Sequence, residues 1–126
     1  MKGIVVTTKC EMRVQEFSNP AYKSIGEVVE GWIEVVRPAR LKRPYCMVVN
    51  EEGLLINLPM NVFGSYLYGT DKHGSPIAGN IVLLKMGINS DGEYDLLGLT
   101  EQDIKYLCDM ASTVSGGQIK LKQEVE

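Results

Sequence analysis

The sequence predicts a single α+β domain, a mostly antiparallel sheet with two helices packed on one face. Three observations predict it. Short runs of β-branched and apolar residues, separated by turn residues, recur along most of the chain. Two segments instead repeat apolar residues at helical spacing. The connections between runs are short, which favours antiparallel neighbours. A chain of 126 residues makes one domain, 1–126, and folding it hides about two thirds of its extended surface, enough for a core without metals or disulfides.

Residues 3–8 are a β-branched run, and 11–17 set Met12 and Val14 against Arg13 and Gln15, so a turn at Lys9-Cys10 makes a hairpin. Ser18-Asn19-Pro20 reads as a helix start, with Asn19 as N-cap and Pro20 as first helical residue. Tyr22, Ile25, Val28 and Val29 then recur at helical spacing, and Gly31 offers a stop, predicting a helix over 20–30. Strands are expected at 32–36 and 45–50. Asn50-Glu51-Glu52-Gly53 reads as a turn into a further strand at 54–57. Residues 61–69 fit a short helix or an irregular segment. Residues 71–76 are a turn by composition, and 77–86 are a strand. Residues 87–95 and 37–44 are the long loop candidates. Thr100 and Asp103 form a capping box opening a second helix, whose stripe is Ile104, Leu107, Cys108 and Ala111. Gly116-Gly117 ends it, and 118–125 alternates as a last edge strand open to another subunit.

Composition narrows the function. Thirteen basic and sixteen acidic residues give a net charge of −3, too weak for an acidic DNA mimic and of the wrong sign for a basic nucleic-acid coat. No apolar run approaches a membrane span, and the first residues lack a signal-peptide pattern. The three cysteines, Cys10, Cys46 and Cys108, form no Cys-x-x-Cys pair and, being odd in number, suit no secreted disulfide framework. A cytoplasmic location without membrane attachment is therefore expected.

The lone histidine, His73, sits in a turn and reads as solvated, and no second metal-spaced ligand accompanies it. Glu27 with Glu30, and Glu51 with Glu52, read as a helix face and a turn tip rather than acid/base pairs. No phosphate-binding glycine motif occurs among thirteen glycines. We therefore expect no enzymatic activity, no cofactor and no metal.

Two segments are the candidates for chemistry, the alternatives being a solvated loop for the first and core packing with tyrosine hydroxyls at the rim for the second. Residues 37–44, Arg-Pro-Ala-Arg-Leu-Lys-Arg-Pro, contain four cations and no carboxylate on a chain that is acidic as a whole. Guanidinium forks hold phosphate oxygens in pairs, so Arg37, Arg40, Lys42 and Arg43 make a candidate anion site. The second segment, 61–69, supplies Phe63, Tyr66 and Tyr68 for stacking on a base and Asn61 for hydrogen bonding to it. Long nucleic acid ranks below a small nucleotide as partner, because one short basic loop makes few phosphate contacts.

The stretches Ile-Gly-Glu-Val-Val-Glu-Gly-Trp-Ile-Glu-Val (25–35), Val-Val-Asn-Glu-Glu-Gly (48–53), Leu-Pro-Met-Asn (58–61), Tyr-Gly (68–69), Pro-Ile-Ala-Gly-Asn (76–80) and Leu-Thr-Glu (99–101) resemble a small domain family of unknown function carried by phages, plasmids and Gram-positive bacteria. The chain's size, its Lys-Gly-Ile-Val-Val-Thr-Thr start and its Val-Arg-Pro segment are also similar to phage Thoeris anti-defence proteins. Those are oligomeric sponges for cyclic ADP-ribose signals, and some also bind cyclic oligonucleotides. That resemblance implies an activity class and no particular binding residues. The expectation is a non-enzymatic phage-type protein that sequesters a cyclic nucleotide immune signal. A small sheet offers little concavity, so a homo-oligomer, dimer or larger, is expected to shape the site. The alternatives are a protein-interaction module that inhibits a host enzyme through 118–125, and a nucleotide-directed enzyme using His73.

Overall fold

Lys2–Val6 (β1) and Met12–Glu16 (β2) pair as the opening antiparallel hairpin, with Ile4 opposite Val14. This is a computed structural model; it describes residues 1–18 and 20–121, and His73 by its backbone alone. The Asn19 cap lies outside the described residues. Ala21–Val29 (α1) follows, with Pro20 at the N-cap position rather than inside the first turn. Its C-cap is Glu30, at a left-handed φ of 66°, one residue before the Gly31 stop. Gly31 is required by space: a Cβ there would come 2.7 Å from the Asn50 side-chain nitrogen.

Ile33–Val36 (β3) and Tyr45–Asn50 (β4) pair antiparallel, and Ile81–Ile88 (β5) runs antiparallel to β4 and to β1. The sheet order is β2-β1-β5-β4-β3. A sixth strand, Tyr94–Leu97 (β6), pairs with β5 antiparallel, its first two residues inside the stretch 87–95 expected to be a loop. The chain is thus α+β with a mostly antiparallel six-stranded sheet. Four short helices complete it: α1, Val62–Tyr68 (α2), Thr70–His73 (α3) and Glu101–Val114 (α4).

The helices do not share one face. In β5, Ile81 and Leu83 join Phe63 and Leu67 of α2 and Leu107 and Ala111 of α4 in one cluster. The intervening Val82 and Leu84 join Ile25, Val28 and Val29 of α1 in the other. Side chains alternate across a strand, so α1 covers one face while α2 and α4 cover the opposite one. The physical reason is visible in β4, where all six residues are buried: a strand apolar on both faces needs cover on both.

Two further expectations are corrected. Residues 54–57 are not a strand. Ile56 N donates to Glu52 O (3.1 Å), Leu58 N to Gly53 O (3.0 Å), and Asn57 is left-handed, so the run closes as consecutive turns with its leucines outward. The strand expected at 77–86 starts at Ile81. Residues just before it pair elsewhere: Asn61 N donates to Ile77 O and Gly79 N to Pro59 O, both at 2.7 Å. The capping box on α4 is present, with Thr100 Oγ1 accepting from Asp103 N and Asp103 Oδ2 from Thr100 N. Of the segment 118–125, residues 122–125 lie outside the described residues; the rest makes one parallel bridge, Leu121 to Met12.

Candidate functional site

The basic loop between β3 and β4 is pinned to the scaffold. Leu41 is buried in the core, Arg40 N donates to Leu67 O of α2 at 2.9 Å, and Met86 N of β5 donates to Pro44 O at 2.9 Å. Two internal turns, Leu41 N to Pro38 O and Tyr45 N to Lys42 O, shape it further. A loop held at three points presents its cations in a defined arrangement and loses little entropy on binding.

Its four cations have different employments. Arg40 forms a two-pronged ion pair with Asp71, Nη1 to Oδ1 at 2.7 Å and Nη2 to Oδ2 at 2.8 Å. Its Nη1 also donates to Tyr66 O at 2.7 Å, and its guanidinium lies 4.6 Å from the Tyr66 ring centroid. The hydrogen bond from Arg40 holds the Asp71 carboxyl below its ordinary range. Lys42 sits 4.3 Å over the Tyr106 ring, which stacks on Tyr45 at 5.5 Å with 11° between planes. Arg37 and Arg43 line a cleft of about 420 Å³, together with Pro38, Ala39, Leu41, Pro44, Tyr45, Cys46, Met86 and Tyr94. Among the described residues, no carboxylate lines it. Arg37 Nη2 donates to the Tyr94 hydroxyl at 3.1 Å, which steadies one guanidinium at the rim.

One wall of that cleft is stiff. The Tyr45 hydroxyl donates to Asp103 Oδ1 and Lys85 Nζ donates to Asp103 Oδ2, each at 2.7 Å. Burial would raise the Asp103 carboxyl, but the hydrogen bonds from Lys85, the Thr100 amide and Tyr45 outweigh it and hold it far below the carboxylate range. Burial, then the bond to Asp103, pushes the Tyr45 phenol up to about 12, so it stays protonated at neutral pH. Burial pushes the Cys46 thiol up to about 11, leaving it a poor nucleophile.

The aromatic segment is not gathered on this cleft. Asn61 is fully buried as the N-cap of α2: its Oδ1 accepts from Gly64 N at 2.8 Å and its Nδ2 donates to Val6 O and Gly79 O, both at 3.0 Å. Its amide has no donor left for a base edge. Phe63 is core, 3% exposed. Tyr66 and Phe63 line an apolar groove of about 260 Å³ with Val62, Val114 and Ile119. Tyr68 lines a third cleft, of about 330 Å³, whose rim carries Glu34, Glu51 and Glu52 and so disfavours phosphate. The structure therefore brings Arg37 to Arg43 and Arg40 to Tyr66, and distributes the remaining candidates elsewhere. The cleft residues that sequence reasoning missed are Tyr45, Met86 and Tyr94. Tyr94 lay in a stretch read as loop; its alternation with Leu96 was the available signal. Among the described residues, no group of three His, Cys, Asp or Glu could hold a metal ion, and no helix is long and apolar enough to cross a membrane. The side chain of His73 lies outside the description.

No curated protein and no solved structure matches the chain. The model of one family, Domain of unknown function (DUF3846), matches residues 1–112. Since that match covers most of the chain, including every strand and the first three helices, the protein belongs to the DUF3846 family.

Proposed function

We propose that the protein binds a small phosphorylated ligand in the Arg37–Arg43 cleft and sequesters it without turnover, as an anti-defence sponge for a cyclic nucleotide signal. The observation that carries this reading is the pair of guanidinium groups lining a cleft with no carboxylate among its described residues, on a chain of net charge −3. Local positive potential on an anionic scaffold attracts and orients an anion. Arg37 and Arg43 neutralise phosphate, and the exposed Tyr94 ring takes the contact with a base that had been assigned to Phe63, Tyr66 and Tyr68. Arg40 and Lys42, committed to Asp71 and Tyr106, shape the loop rather than touch ligand. Asn61 holds α2 in place.

A cyclic ADP-ribose isomer suits the cleft's size, which falls within the usual range for small-molecule sites of about 300–1,000 Å³. The test is equilibrium binding with cyclic ADP-ribose isomers and cyclic oligonucleotides, followed by denaturation and mass analysis of what is released. Unchanged ligand recovered in stoichiometric amount supports a sponge. A cleaved product points to an enzyme, and absence of retention removes the reading.

A further inference from the structure

Among the described residues, the outer edge of β3 carries an unfilled pairing site. Glu51 N donates to Trp32 O at 2.9 Å, and Ile33 stands opposite Asn50. Hydrogen-bonded pairs alternate along an antiparallel ladder, so Trp32, Glu34 and Val36 turn their backbone groups toward β4 while Ile33 and Val35 turn theirs away from it. Among the described residues, β3 pairs with β4 alone. Large side chains stand exposed along this edge, Val35 at 41% and Trp32 at 77%.

Charge along the edge is graded. Its beginning carries Glu30 and, beside Trp32, Glu51, with Glu34 next along the strand; its end runs into Arg37. A strand that is acidic at one end and basic at the other is complementary to an antiparallel copy of itself. We propose that β3 is a homodimerisation edge, in which two copies of this chain pair their β3 strands antiparallel about a two-fold axis at Val35. A two-fold interface uses the same patch twice, and strand addition satisfies the outward amides and carbonyls directly.

The register follows from which residues would face each other. Centring the axis on Glu34 sets two carboxylates opposite one another, which destabilises. Centring it on Val35 sets two β-branched side chains together, Glu34 against the partner's Val36, and Ile33 against the aliphatic stem of the partner's Arg37. Val35 and Ile33 then exchange backbone hydrogen bonds with the partner's Val35 and the partner's Arg37. The acidic start of each strand lies toward the basic loop of the other copy.

The experiment measures mass by light scattering and sedimentation for the full chain, Val35→Lys and Val35→Pro. Both substitutions fall on a backbone position that β4 does not use, so the β3–β4 ladder remains, and far-UV circular dichroism checks it. A wild-type mass of twice 14.0 kDa, halved in both variants, is the expected result. Should Val35→Pro fail to fold, Val35→Lys alone decides, since it sets two ammonium groups at the axis. Val35→Cys should cross-link as a disulfide dimer on mild oxidation beyond any wild-type background, because opposed Cα atoms of about 5.5 Å suit that bond. A monomeric wild type at high micromolar concentration, a dimer that survives Val35→Lys, or cross-linking through Glu34→Cys but not Val35→Cys overturns the proposal. Arg37 belongs to both the edge and the cleft, whereas Val35 lines only the edge, so ligand binding by the folded Val35→Lys variant separates the two readings.

Discussion

Arg40 grips Asp71 with both terminal nitrogens, at 2.7 and 2.8 Å, and that grip divides the basic loop into a structural half and an available half. Arg40 ties the loop to the segment after α2, and Lys42 lies on Tyr106 of α4. Arg37 and Arg43 remain to line the cleft.

Replacing Arg40 by Ala should therefore lower the melting temperature slightly, because an exposed pair is screened by water, while leaving ligand affinity within about twofold. Thermal denaturation and binding, measured on the same preparation, check both halves of that statement.

Asp103→Asn should be costlier. Asp103 accepts from Lys85 and Tyr45 in a pocket where the Lys85 and Asp103 side chains are 20% and 14% exposed. Removing its charge should cost about 2 kcal/mol. Its carboxyl has a lowered affinity for protons in the folded state. Its contribution is thus complete above the unfolded value, about 3.9, and is lost as pH falls below that toward the folded one. Urea denaturation between pH 7 and pH 2 should show wild-type stability declining through the acid range, and the Asn variant, weaker at pH 7, declining less.

Asn61→Ala leaves the Val6 and Gly79 carbonyls and the Gly64 amide without their buried partner. We expect a loss of about 2–4 kcal/mol, measured by urea denaturation, since both a helix cap and two buried hydrogen bonds go. Asn61→Asp keeps the cap acceptor but sets a carboxylate oxygen against the Val6 and Gly79 carbonyls in a fully buried site, and should be at least as destabilising.

Cys46 should resist alkylation in the native state. It is fully buried, and burial holds its thiol up to about 11. Cys10 and Cys108 are partly exposed and should be labelled first at pH 8; mass mapping of a timed iodoacetamide reaction gives the order.

Much of the fold was legible because single residues dictate it locally. Thr100 and Asp103 announce α4, and alternation in 12–16 announces β2. The error over 54–57 arose because Leu54, Leu55 and Ile56 are apolar yet exposed, Leu55 at 81%; an apolar triplet reads as strand whether or not anything covers it. Placing the helices on one face overlooked the unbroken burial of 45–50 and 81–84, which a sheet with one wet face would not show. At the site, the cationic loop was legible as composition. Which of its cations are engaged was not, since Asp71 and Tyr106 lie far away in sequence from Arg40 and Lys42. Asn61 looked like a base-reading amide because an N-cap and a ligand contact ask for the same side chain.

The most direct measurement is a calorimetric titration of cyclic ADP-ribose isomers and cyclic oligonucleotides into the wild type and an Arg37→Ala/Arg43→Ala double variant. We predict saturable heat with at least one of them in the wild type, and affinity about 100-fold weaker or more in the variant, since two charge-assisted hydrogen bonds of about 1.5 kcal/mol each are lost. Silence from every ligand at micromolar wild-type protein, or equal heat from a folded double variant, contradicts the account.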